Sequence, residues 1–222
     1  TGNLVAAGVV RPINLSAAVS SSVTSNSLAG FKINNKQYGV PAYTENLAFL
    51  RNVKKAPKPV AKLTDIKVGE LAVPYGTGGD GYHFYPLQTA FDAPVFVPTN
   101  SGSWTSTVGM GETNGANFAK FLAKGTKFFG NGGYGQLCDF INGKIKYWIS
   151  GPWQIKNIQQ GAAACKTGLK LGSGYAIDSF PVGPTGKKGV PFLGAKGAFM
   201  TNSPSTDVVT STQLLTYLAG KE

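Results

Sequence analysis

Phe140 to Ile155 reads F-I-N-G-K-I-K-Y-W-I-S-G-P-W-Q-I, and its punctuation decides the fold class. Asn142-Gly143 is a turn signal, Lys144 to Ser150 is a short β-branched and aromatic run, and Gly151-Pro152 stops that run before an indole at Trp153. The order is helix end, turn, buried strand, loop. It places Trp153 just past the carboxyl end of a strand, where open α/β sheets bind ligands. Taken alone, an indole there serves equally well as a large core residue closing a strand.

Upstream, Tyr134 to Ile141 reads as the preceding helix. Asn114 is expected to cap another that runs to Lys124-Gly125, with Ala116, Phe118 and Ala119 on its apolar face. Ala93 to Thr99 and Thr105 to Gly109 pattern as a hairpin. Leu71 to Tyr75 is a short strand leading into G-T-G-G-D-G at Gly76 to Gly81. Gly76, Gly78 and Gly81 match G-x-G-x-x-G formally, but no acidic residue follows at ribose distance, so the stretch reads as a strand-to-helix loop that brings backbone near a ligand. Tyr82, Phe84 and Tyr85 come next. Phe84 suits packing of a helix on a sheet, and Tyr82 at the helix start is placed to face a cleft.

Closer to the amino terminus, Leu4 to Val10 resembles the last turn of a helix, and Asn14 to Gly30 patterns as helix or loop. Phe31 to Ile33 and Gln37 to Val40 flank Asn34-Asn35 as a hairpin, with Pro41 closing its second strand. Ala42 to Leu50 is extended and carries Glu45, a carboxylate that such a run tolerates only with a partner. Val60 to Ile66 reads as a helix after a Pro-Lys turn. Downstream of Trp153 come a helix to Ala164, strands at Tyr175 to Phe180 and Gly194 to Met200, and a final helix over Asp207 to Leu218. Strands alternating with helices predict a mainly parallel α/β architecture.

Composition narrows the function. The 222 residues are 42% hydrophobic and 14% charged, with a net charge of +11, a globular balance with room for one large domain or two small ones. The charge alone suits an anionic partner, yet the densest groups, Lys54-Lys55-Ala56-Pro57-Lys58 and Lys187-Lys188, lie in Pro/Gly-rich turns with no nucleic-acid reader motif, which argues against nucleic acid. Two cysteines, Cys138 and Cys165, and one histidine, His83, complete no metal pattern. The cysteines are either a disulfide of an exported protein or two buried thiols. No apolar run is long enough to span a membrane. The chain opens at Thr1 in what reads as mid-helix, with no signal peptide legible.

Three segments, in order, carry a resemblance: Asn35-Lys36-Gln37-Tyr38-Gly39-Val40-Pro41-Ala42-Tyr43-Thr44-Glu45-Asn46-Leu47; Asn142-Gly143-Lys144 with Gly151-Pro152-Trp153; and Tyr175 to Pro181 with Phe192-Leu193-Gly194. Together they resemble the extracellular solute-binding proteins of sugar ABC importers, the maltose-binding protein family. The resemblance implies a type II periplasmic binding protein fold, with two α/β lobes around a cleft that holds a sugar between aromatic rings and carboxylates. It implies residues 1–44 as a partial amino-terminal lobe, 45–56 as hinge and crossover, 57–191 as the carboxyl-terminal lobe and 192–222 as the return. Members are typically longer, so the amino-terminal lobe is expected to be incomplete.

Carried over residue by residue, Glu45 matches a hinge carboxylate that contacts ligand, and Tyr43 lies at the first crossover. Asp80 and Tyr82 match an acid and a stacking aromatic, and Trp153 matches the stacking tryptophan of G-P-W. The implied protein is a monomer outside the cytoplasm, at the cell envelope, that delivers a maltose- or maltodextrin-like carbohydrate to a membrane permease without cofactor or catalysis. An enzyme reading would make Glu45 and Asp80 a glycosidase pair, and a polyanion-binding module would rest on net charge alone. An oxidising compartment, with helices packed side by side around the Trp153 strand, leads to the expectation of a Cys138–Cys165 disulfide.

Overall fold

A computed structural model describes residues 1–74, 80–98, 104–124, 136–165 and 167–220 of the chain. The strands are, in chain order, β1 (Lys32–Ile33), β2 (Lys36–Gln37), β3 (Gly39–Glu45), β4 (Ala48–Asn52), β5 (Leu71–Ala72), β6 (Phe96–Pro98), β7 (Trp104–Val108), β8 (Tyr147–Ser150), β9 (Tyr175–Asp178) and β10 (Gly194–Phe199). They divide between two compact units, Thr1–Glu45 with Leu193–Glu222, and Asn46–Phe192. The chain thus crosses after Glu45 and returns after Phe192. Of the segment read as a hinge, residues 48–52 form β4 of the second unit.

The second unit is built on a four-stranded sheet of order β5-β8-β4-β9. The β8 run Tyr147–Ser150 is buried at every position, and successive side chains alternate between its two faces. Phe49, Leu71, Tyr147 and Ile149 enter one core with Leu87 and Phe118. Leu50, Ala72 and Trp148 enter the other with Phe140, Ile158 and Tyr175. Helices Gly81–Ala90 and Thr113–Ala123 supply the first face, and Leu137–Ile141 and Ile155–Gln160 the second. A sheet covered on both sides explains why its strands read as continuous apolar runs.

Strand direction overturns the expectation of a mainly parallel architecture: among the described strands only the β5–β8 pairing is parallel. β5 and β8 pair parallel, but β4 is antiparallel to both β8 and β9. β5, β8 and β9 therefore share a direction, and β4 lies against them between β8 and β9. The physical reason is its connection: β4 arrives from the first unit after two residues, without the helical crossover that returns a chain to parallel register. The hairpin β6–β7 forms as the sequence predicts.

In the first unit β3 pairs antiparallel with β10, with a register shift between Lys196 and Gly197. A Cβ on Gly197 would collide with the Phe31 ring and the Val40 carbonyl, so only glycine fits there. Pro41 does not close a strand. It lies within β3 opposite Gly197, where a two-stranded, bulged ladder tolerates its missing N–H. Asn34 and Asn35 make the β1–β2 turn with φ of 49° and 60°, the left-handed pair that a two-residue hairpin requires. The ambiguous stretch 14–30 resolves into helices Ala17–Ser22 and Ser25–Ala29, capped by Ser16 and Thr24. Ile13, Val19, Val40, Met200, Leu215 and Ala219 form this unit's core, with Leu215 and Ala219 coming from the helix Val208–Ala219.

Two helix expectations are corrected. Val60 to Ile66 contains only a 3-10 turn, Leu63–Asp65, because the backbone at Ala61 and Leu63 is hydrogen-bonded to Val182 in a parallel bridge instead of to its own helical turn. Asn114 is not a cap. The helix begins at Thr113 behind Glu112, and Asn114 Nδ2 instead donates to the Asp92 carbonyl at 3.3 Å.

Candidate functional site

Asp80 starts the site by ending a loop. Its Oδ1 accepts the His83 backbone N–H at 3.1 Å, the N-cap bond that satisfies one orphan donor of the helix Gly81–Ala90. Its Oδ2 lies 2.6 Å from His83 Nδ1. The cap fixes the first turn, and helical spacing then puts Tyr82 and Tyr85 on one side of it. Phe192 packs along that side. It lies 3.5 Å from Tyr85 at 12° between ring planes, and 6.2 Å from Tyr82 at 9°.

Trp153 comes to the same place from the other direction. β8 ends at Ser150, Gly151 bends the chain, and Pro152 opens a 3-10 turn, Pro152–Gln154, that carries the indole. A Cβ on Gly151 would be driven into the six-membered ring of Trp153, which folds back over the glycine. The indole lies 6.5 Å from Tyr82 at 34°. The His83 ring plane is perpendicular to both rings, 5.6 Å from Tyr82 and 6.0 Å from Trp153, at 87° to each. Trp153 is 43% exposed and Phe192 39%, whereas His83 and Tyr85 are buried. Burial pushes the Tyr85 phenol above its ordinary value and keeps it neutral. The result is a set of aromatic rings, two of them partly open to solvent, lying past a strand's carboxyl end.

Of the residues singled out in the sequence, Asp80, Tyr82 and Trp153 are therefore brought together within the second unit. Tyr43 and Glu45 belong to the first, in β3. Tyr43 is 58% exposed, and Glu45, the carboxylate in need of a partner, has Lys196 Nζ 4.0 Å from its Oε1. Gly76 and Gly78 of the glycine-rich stretch lie outside the described residues. Cys138 and Cys165 form a disulfide with a Cα separation of 4.8 Å. It ties the helix Leu137–Ile141 to the turn that follows Ile155–Gln160, which ends at Gly161, short of the predicted Ala164. Among the described residues no group of His, Cys, Asp or Glu is placed to hold a metal, and no helix is long and apolar enough to cross a membrane.

Two members of the site escape sequence reading. His83 had a signal, since Asp80 three residues before it at a helix start is the spacing at which a cap reaches a side chain. Phe192 stands in the resembling segment Phe192-Leu193-Gly194, but nothing local marks it as a ring of this site, because it arrives from a Pro/Gly loop far along the chain.

The profile of a family described as bacterial extracellular solute-binding protein matches residues 1–222. A search of curated proteins finds no match. Among solved structures, the chain is similar to the maltose-maltodextrin binding protein of the thermoacidophilic bacterium Alicyclobacillus acidocaldarius, with TM-score 0.75 and 19% identity over 99% of this chain and 58% of that one. It is also similar to a cyclo/maltodextrin-binding protein complexed with maltotetraose, with TM-score 0.76 and 21% identity over 99% of this chain and 57% of that one. The chain thus spans a little under three fifths of the length of these structures. At such identities the likeness shows an α/β fold of the periplasmic-binding-protein kind.

Proposed function

This chain belongs to the family of bacterial extracellular solute-binding proteins, and from that premise we propose that it captures a carbohydrate, a maltose- or maltodextrin-like oligosaccharide, and delivers it to the membrane permease of an ABC importer. The family works outside the cytoplasm and is a binding class, not a catalytic one. The observation that carries the carbohydrate reading is the aromatic set of exposed Trp153 and Phe192 with half-buried Tyr82 between them and the core. Sugar rings present flat C–H faces to aromatic rings and leave their hydroxyls at the rim for hydrogen bonding. We read the two units as the lobes of a type II fold, with crossovers at Glu45–Asn46 and Phe192–Leu193. Tyr43 and Glu45, in β3 of the first unit, are proposed as ligand-contacting residues on the strength of the family resemblance.

Calorimetric titration with maltose, maltotetraose, a cyclodextrin and non-glucan oligosaccharides tests this reading. Saturable binding of a glucan that is weakened in Trp153→Ala is the expected result. Binding of none of these sugars would sink it. The glycosidase alternative finds no support here, because Asp80 is turned onto His83.

A further inference from the structure

Asp80 falls where an acid that contacts sugar was expected, yet the local geometry gives it another task. Both of its oxygens face His83, one accepting the backbone N–H at 3.1 Å and the other lying 2.6 Å from Nδ1. Its side chain is only 13% exposed and that of His83 only 10%. The imidazole so held stands perpendicular to Tyr82 and to Trp153. Edge-to-face contact directs the positive ring edge into the neighbouring π-cloud, so a ring fixed at one end by a carboxylate sets the angle of the rings it touches. Tyr82 is on the same helix as His83, whereas Trp153 arrives from the turn after β8. His83 therefore joins rings carried by two elements, the helix Gly81–Ala90 and the turn Pro152–Gln154.

We infer that Asp80 and His83 are a positioning pair for the aromatic face: Asp80 orients the imidazole, the imidazole holds Trp153 and Tyr82 in their relative tilt, and Asp80 serves ligand through that ring instead of accepting a sugar hydroxyl itself. This rests on the carbohydrate reading for its consequence but not for its geometry, and the experiment separates the two. His83 is the chain's one histidine, so nitrogen NMR of the sugar-free protein reports it without ambiguity. The neutral ring should carry its proton on Nδ1. Asp80→Asn, which keeps an N-cap acceptor, should change that tautomer balance, and both it and His83→Gln should move the ring-proton shifts of Trp153 and Tyr82. Unmoved ring shifts in folded variants would overturn the inference.

The second arm is a double-mutant cycle with maltotetraose as probe. Each single variant should weaken binding by a similar factor, several-fold to about tenfold, and Asp80→Asn/His83→Gln no further than His83→Gln alone. An additional loss of the same size from Asp80→Asn in the His83→Gln background would mean that Asp80 meets the sugar directly, and would also overturn it. If the unaltered protein binds no sugar, the carbohydrate reading fails while the ring shifts still decide the positioning role.

Discussion

Trp153 and Gly151 make the clearest pair of tests at the scale of single residues. Because the indole is 43% exposed, Trp153→Ala should leave thermal stability nearly unchanged and weaken glucan binding by about 1–3 kcal/mol, the range for an aromatic anchor. Full affinity in that variant, measured by calorimetry, would remove the indole from the site. Gly151 has φ −107°, a conformation any residue adopts, so Gly151→Ala costs nothing in backbone freedom. Its Cβ would displace the ring that lies over it, and the expected outcome is lost affinity with the fold retained. Sequence alone made Trp153 legible, since a strand, a Gly-Pro stop and an indole are local facts. It left Asp80 half legible: the acid was found, but its orientation toward His83 depends on a helix start that only the folded turn fixes.

At the scale of elements the sheet is held at both margins by charge. Arg51 in β4 is buried, with Nε 2.5 Å and Nη2 3.2 Å from the Asp178 carboxylate of β9, and Nη1 2.7 Å from the Ala56 carbonyl. Asp178→Asn would leave a guanidinium enclosed without its counter-charge, and should destabilise by about 3–5 kcal/mol in denaturant unfolding. At the other margin Lys146 Nζ lies 2.5 Å from Glu70 Oε1, beside the parallel β5–β8 pair. Burial pushes the Glu70 carboxyl up, but the Lys146 hydrogen bond and charge, with the Lys67 N–H bond, bring it net below its ordinary 4.5. A depressed carboxylate stabilises the fold above its unfolded value, and that contribution is lost as pH falls through the folded one. The stability gap between the unaltered protein and Glu70→Gln should therefore be constant near neutrality and close below pH 4.5. Neither ion pair was legible, because each joins strands far apart in sequence, whereas most strands themselves were, because burial on both faces writes apolar runs. β4 shows the limit: its residues were read as extended, but its direction depends on a crossing between units that no local pattern encodes.

For the whole molecule, net charge and sugar chemistry lead to opposite salt dependences. The charge of +11 includes Lys54, Lys55, Lys58, Lys187 and Lys188, all exposed, so a polyanion such as heparin should associate weakly at low salt and be released as counterions compete. A neutral oligosaccharide held by aromatic faces releases no counterions. Saturation to a hundredfold over Kd stabilises the folded form by about 2.7 kcal/mol, and a chain of this size shifts its melting temperature by roughly 2–4 °C per kcal/mol. Maltotetraose should therefore raise the melting temperature by about 5–10 °C, equally in 50 mM and 500 mM salt, whereas any shift from heparin should vanish at the higher concentration. A heparin shift that survives high salt, with none from the sugar, would reverse the order of the two readings. Trp153→Ala supplies the internal control: it should abolish most of the sugar's shift and leave heparin's untouched, since the exposed lysines named lie in loops, not on the aromatic face.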